Sequence, residues 1–299
     1  MNRIIGLRRI LGLAAVAGLG VVSVGVSTGQ GADPFVAGGW STRPVELAAS
    51  QAEAAKAHAR ELSVALGLSP GVSRRVERLD DRFEHRTYDE VTSLDSTGHE
   101  VAIVRLETDG TVAMAVALGW QPGRGPRIDA SAAERRGRSL ARAAGLSVDG
   151  QPSVRAAGAG GWSIAWSRVV DGTPVRGDGV RVTLWPDGTF HGLARTERRV
   201  AAAPAQPIAS GAAREAAEAW AAGRYGTAAV DLRVAAIERA WVAQNGAFAP
   251  NGLDAPAETL RLAWVVRFDA SGRLAERLRS IELWLDAGDG SVLGGDVAE

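Results

Sequence analysis

The chain has 299 residues, and its 34 basic and 34 acidic side chains give a formal net charge of zero. That balance excludes a general phosphate-neutralising surface, so nucleic acid is not an expected partner. The absence of cysteine excludes disulfides, thiolate metal sites, cysteine nucleophiles and lipid attachment at a cysteine, and Lys56, the only lysine, leaves little for P-loop or Schiff-base chemistry.

Arg3, Arg8 and Arg9 precede an uncharged stretch from Ile10 to Gly29. Positive charge before an apolar segment marks a signal peptide or a positive-inside anchor. Ser27 and Gly29 have the small-residue spacing of a cleavage site, and the stretch is also about long enough to span a bilayer. Residues 1–32 are therefore expected to be a signal peptide or a membrane anchor, and 33–43 a linker. In either case the rest of the chain is extracytoplasmic, secreted or held by one N-terminal span. Gly25-Val26-Ser27-Thr28-Gly29 matches a nucleophile-elbow pattern but lacks the strand-turn-helix context.

A helix is predicted from about Pro44 to Leu66, where Ala48, Ala52, Ala55, Ala59, Leu62 and Leu66 form one stripe before Gly67. A second starts at Ser131, with Ser131 and Glu134 as a capping box and Ala133, Gly137, Leu140 and Ala144 as its stripe. A third runs from Ser210 to Tyr225, with Ala213, Ala216, Ala217 and Trp220 inward and Gly226 at its end. Strands follow each helix. Val112, Met114, Val116 and Leu118 alternate with alanines; Val180, Val182 and Leu184 alternate with Arg181, Thr183 and Trp185; Ile281, Leu283 and Leu285 alternate with Glu282, Trp284 and Asp286. Asp109-Gly110-Thr111, Asp187-Gly188-Thr189 and Asp289-Gly290-Ser291 close a hairpin in each case, Asp171-Gly172 makes a further turn, and Ser271-Gly272 a looser one. The pattern predicts an α+β chain of three repeated units, 44–121, 128–200 and 207–299, each a helix on an antiparallel sheet. Residues 72–99 carry no clear pattern, and 243–258 read as a long loop.

Val169-Val170-Asp171-Gly172-Thr173-Pro174-Val175, followed by Gly177-Asp178 and Asp187-Gly188, resembles the propeptide domains of thermolysin- and fungalysin-like metalloproteases. Leu262-Ala263-Trp264-Val265-Val266, with Asp286-Ala287-Gly288-Asp289-Gly290-Ser291-Val292-Leu293, is similar to the PepSY domain, with one residue more than its usual closing turn. The resemblance implies a PepSY- or cystatin-like helix on a sheet. It also implies a role in binding or inhibiting a secreted peptidase, a cell-wall hydrolase or a membrane sensor. Propeptides of that kind precede a peptidase domain; none follows in these 299 residues, so a stand-alone module is expected.

The chemistry-bearing residues point away from catalysis. His58, His85, His99 and His191 form no His-Glu-x-x-His, and no two stand three or four apart. Asp80, Asp81, Glu84, His85 and Asp89 offer metal-ligand types but read as a charged strand laced with Arg82 and Arg86. Asp286 to Gly290 departs from the alternating ligands of a calcium loop, and Arg176-Gly177-Asp178 spells an adhesion tripeptide inside a turn. No enzyme, cofactor or metal is expected. Of nine tryptophans, Trp162 and Trp166 share a strand face with Ile164, Trp264 shares one with Val266 and Phe268, and Trp220 lies on a helix stripe; these are core candidates. Trp185 and Trp284 lie opposite the apolar series at matching places and are the partner-binding candidates. A cell-envelope carbohydrate-binding module using exposed tryptophans is the alternative to the protein-binding role.

Overall fold

A computed structural model describes residues 42–81, 86–119, 123–245, 247–248 and 258–298. The expected signal or anchor segment, the linker up to residue 41, Glu84, His85 and most of the expected loop at 243–258 lie outside the described residues. Among the described residues no helix is long and apolar enough to cross a membrane. The fold is α+β, and the chain divides into two compact units: 42–167 with 178–197, and 168–177 with 198–298.

In the first unit a sheet runs in the order β1 (Thr42–Val45), β2 (Ser73–Asp81), β3 (Arg86–Leu94), β4 (Glu100–Glu107), β5 (Val112–Ala117), β9 (Phe190–Thr196), β8 (Thr173–Leu184, whose residues 173–177 belong to the second unit), β7 (Trp162–Val170, whose residues 168–170 belong to the second unit) and β6 (Ser153–Ala156). Helices α1 (Ala49–Leu66) and α2 (Ala130–Ala143) supply Ala55, Ala59, Leu62 and Leu66, and Ala133, Leu140 and Ala141, to one core. From the sheet, Val91, Val104, Ala115, Leu193 and Val182 meet them there. Alanine stripes suit this arrangement, because a helix without bulky residues on its inner face lies close to the strands. Ile164 and Trp166 enter the same core, as expected, with Trp162 half-buried at its margin.

Two expected units are thus one. Antiparallel pairing of β5 with β9 (Met114 opposite Ala194, Ala115 opposite Leu193, Val116 opposite Gly192) joins their sheets, and both helices share its apolar face. Pro44 does not open a helix. It lies in β1, opposite Leu79, on the outer edge, where its missing N–H costs no ladder bond. Within the patternless 72–99, β2 and β3 pair antiparallel, with Arg75 facing Thr92, Glu77 facing Glu90 and Arg78 facing Asp89. The cap of α2 is Asp129, which accepts from the Ala132 N–H at 2.7 Å, while Glu134 bonds Arg138 at 3.2 Å instead of closing a box with Ser131.

The second unit places β11 (Leu232–Ala243), β12 (Thr259–Ala270), β13 (Ser280–Asp286) and β14 (Val292–Ala298) in an antiparallel sheet. The short β10 (Arg199–Val200) lies parallel to β12, and Val175 at the start of β8 pairs with Trp241. Helix α3 (Ser210–Tyr225), with the bounds predicted, buries Ala213, Ala217 and Ala221 against Val266, Phe268, Ile281, Leu283 and Leu285. Trp264 is half-buried beside them and donates to the Ile208 carbonyl at 3.0 Å. Outside the helix face, the edge of β14 is closed by Asn245. Its backbone N–H donates to Leu293 at 3.0 Å, its amide donates to the Gly295 carbonyl at 2.9 Å, and its Oδ1 accepts from the Gly295 N–H at 3.1 Å.

Candidate functional site

The two tryptophans singled out by alternation do lie outside the helix-facing cores. Leu184, the last residue of β8, enters the core, and Trp185 follows it into the turn to β9. Its backbone is fixed by the Trp185 N–H donating to Thr189 at 2.8 Å and the Gly188 N–H donating to Trp185 at 2.9 Å. Gly188 takes φ +85°, the conformation that the Asp-Gly pair foretold. The indole is only 6% exposed, and its ring centre is 4.3 Å from that of His191, tilted by 32°. Burial pushes the His191 imidazole below its ordinary value, so it is neutral at pH 7. Asp187 is raised by its burial, but bonds from the Thr189 N–H and hydroxyl and the Gly125 N–H outweigh this and lower it. Trp284, in the second unit, faces Val265 and Gly294 across the ladder and is half-buried against Ala240, Val242, Ala263 and Leu293. A sugar platform needs an open ring face, which Trp185 at this exposure lacks.

The residues with chemical potential hold the fold. Asp89 receives both Nε and Nη2 of Arg78, at 2.7 and 2.9 Å, and these bonds hold the guanidinium above its ordinary pKa. Arg105 bonds Glu90 at 2.9 Å, and Glu107 takes Arg86 at 2.6 Å and Arg195 at 2.9 Å. In the second unit Arg176, from the adhesion-like tripeptide, is tied to Glu238 and lies 3.4 Å from Glu282. Asp286 accepts from the Gly288 N–H at 2.7 Å and pairs with Arg261 at 2.7 Å; Asp289 accepts from the Ser291 N–H at 2.8 Å. The calcium-loop pattern is therefore a hydrogen-bonded turn. Among the described residues no group of three or more histidines or carboxylates could hold a metal ion.

A feature that sequence reasoning missed is the outer edge of β6. Ser153 to Ala156 pair with Ala165 to Trp162, and the Ala157 N–H extends the ladder to Gly161 at 2.9 Å. Antiparallel bonds alternate, so Ser153, Arg155 and Ala157 turn their main chain to β7. Val154 and Ala156 turn theirs outward, where no other strand among the described residues pairs. Cations flank this edge on both faces. Arg155 is exposed on one face; on the other the Arg127 guanidinium lies 5.5 Å from the ring centre of Trp162, directly across from Ala156. Burial, and secondarily the charge of Arg155, hold the Arg181 guanidinium below its ordinary value. Ser153, Val154, Arg155 and Ala156 do alternate polar with apolar, but over four residues such a pattern is too brief to mark a strand.

No known family matches the chain, and no curated protein matches it. Among solved structures it is similar to the Bacillus megaterium YpeB C-terminal domain, with 11% identity and a TM-score of 0.46, over 86% of this chain and 99% of that one.

Proposed function

We propose that this is a non-catalytic, extracytoplasmic binding or regulatory protein of PepSY and propeptide type, which holds a protein partner such as a secreted peptidase, a cell-wall hydrolase or a membrane sensor. The observation that carries the proposal is the commitment of the reactive side chains. Carboxylates and guanidiniums that a catalytic reading would use, such as Asp89, Glu90, Arg105, Glu107 and Asp286, sit in cross-strand pairs and turns. Groups paired in this way are engaged in positioning strands, which supports a binding reading over a catalytic one. What the first unit does present is main chain, on the exposed β6 edge, a feature that recognises extended polypeptide. The arginine-flanked leader, read from sequence alone, supports a place outside the cytoplasm.

The test is capture from an envelope extract on the immobilised full chain, with mass spectrometry of what is retained and assay of its peptidase or hydrolase activity with and without the chain. The proposal expects one dominant envelope protein whose activity changes on binding. Retention of no protein, with no effect on any secreted hydrolase, overturns it.

A further inference from the structure

The proposal above leaves the contact surface and the chemistry of the partner open; the inference here rests on that reading and supplies both. Sheet edges attract stray strands, and proteins usually blunt them. In the second unit the edge of β14 is blunted by Asn245, which occupies the main-chain groups of Leu293 and Gly295. The β6 edge has no such plug among the described residues: Ser153, Arg155 and Ala156 are exposed, and β7 is the strand that pairs there. Val154 and Ala156 each turn an N–H and a carbonyl outward, enough for a short ladder. Ala156 is small, so a side chain on an added strand can pass it to reach the half-buried ring of Trp162. The cations Arg127 and Arg155 stand on opposite faces of the same strand. An acidic residue on either face of an added strand thus meets a guanidinium, while a basic residue meets repulsion.

We infer that the outer edge of β6 is a docking site for an extended acidic segment of the partner protein, which adds to the sheet as a further strand bonded to Val154 and Ala156 and charge-matched to Arg155 and Arg127. Strand addition takes its affinity from main-chain bonds and its selectivity from the flanking side chains. Proline at 154 removes an outward N–H that the native ladder does not use, so the fold tolerates it while the docking strand does not.

The probe is a fluorescein-labelled, end-blocked peptide, Thr-Val-Glu-Val-Glu-Val-Thr, titrated against the full chain by fluorescence anisotropy, with the lysine-for-glutamate peptide as its counterpart. The glutamate peptide is expected to bind and the lysine peptide to bind about tenfold more weakly or not at all. Val154→Pro is expected to weaken binding about tenfold through lost strand bonds, and Arg155→Glu to weaken the glutamate peptide while strengthening the lysine one. Amide exchange adds a reading independent of affinity: Val154 and Ala156 exchange fast in the unbound chain and slow with peptide, while Arg155 is slow in both. If Val154→Pro loses its circular dichroism, Arg155→Glu decides, since that side chain is exposed. Equal binding by wild type and both variants, failure of both peptides to bind at about 1 mM, or Val154 and Ala156 protection that grows with protein concentration without peptide, overturns the inference. The last of these would assign the edge to a second copy of the chain. An envelope partner retained equally by wild type and both variants overturns the edge assignment alone; an extract that yields no partner overturns the function on which it rests.

Discussion

Replacing Arg105 by methionine is expected to destabilise the first unit far more than replacing an exposed arginine. Arg105 and Glu90 are bonded at 2.9 Å, and each side chain is only 11% exposed. Glu90 also faces Glu77 across the β2–β3 ladder, so removing Arg105 leaves Glu90 opposite a like charge without its partner on β4. Breaking a buried pair from one side costs about 3–5 kcal/mol, because the remaining charge is left in low dielectric without compensation. Both partners keep some water here, which brings the expected loss for Arg105→Met to about 2–3 kcal/mol. Glu90→Met should cost a similar amount, since it strands the guanidinium. The double variant places two methionines in adjacent strands and should return to within about 1 kcal/mol of wild type, far from the sum of the singles. Urea unfolding at pH 7, followed by circular dichroism with m-values fitted for each variant, measures all four corners of the cycle. A loss below about 0.5 kcal/mol for Arg105→Met, or a double variant as unstable as the sum, would show that the pair behaves as a solvated surface bridge and refute the reasoning.

Asp129→Ala should cost about 1 kcal/mol by removing the α2 cap, while Ser131→Ala should be nearly neutral; equal effects in thermal melts would restore the capping box. Leu140→Ala, at a fully buried position between α2 and the sheet, should cost about 2–5 kcal/mol in urea unfolding, and a loss under about 1 kcal/mol would mean that the core there is loose. His191 gives a pH dependence. Burial sets its folded pKa below the unfolded value of about 6.5, so the unfolded chain binds the proton first. Its stabilising contribution is whole above about pH 6.5 and is lost as the pH falls toward and through the folded value. Melting temperatures between about pH 7.5 and about pH 5 should therefore drop in wild type and drop less in His191→Phe, which keeps a ring against Trp185; parallel slopes would exclude His191 as the source.

Local signals carried far in this chain. The bounds of α3 were readable because an alanine stripe ends at Gly226, and the Asp-Gly turns were readable because few residues accept φ near that of Gly188. Longer-range facts were not. Nothing near Val116 or Gly192 says that β5 and β9 pair across almost eighty positions, and that pairing turns two expected units into one. Pro44 satisfies a helix start and an edge strand equally well, and only the partner β2 distinguishes them. Of the candidate site, alternation placed Trp185 and Trp284 on the correct side of their strands. It says nothing of what lies over that side, so the stacking of His191 on Trp185 was hidden. The β6 edge was hidden for a different reason: its alternation lasts only four residues, and so short a strand is visible only through its neighbour.

The side chain of Asn245 imitates a peptide unit, giving and taking one bond each with Gly295. It can come that near because Gly294 and Gly295 carry no side chains: a Cβ on Gly294, which has φ +143°, would lie 2.1 Å from the asparagine oxygen. One amide thus finishes the ladder where another molecule would otherwise continue it. Losing that amide, or adding a single methyl to Gly294, would uncover a growing end for stacking chain upon chain, and the damage would register first as turbidity and fibre formation, ahead of any loss of binding.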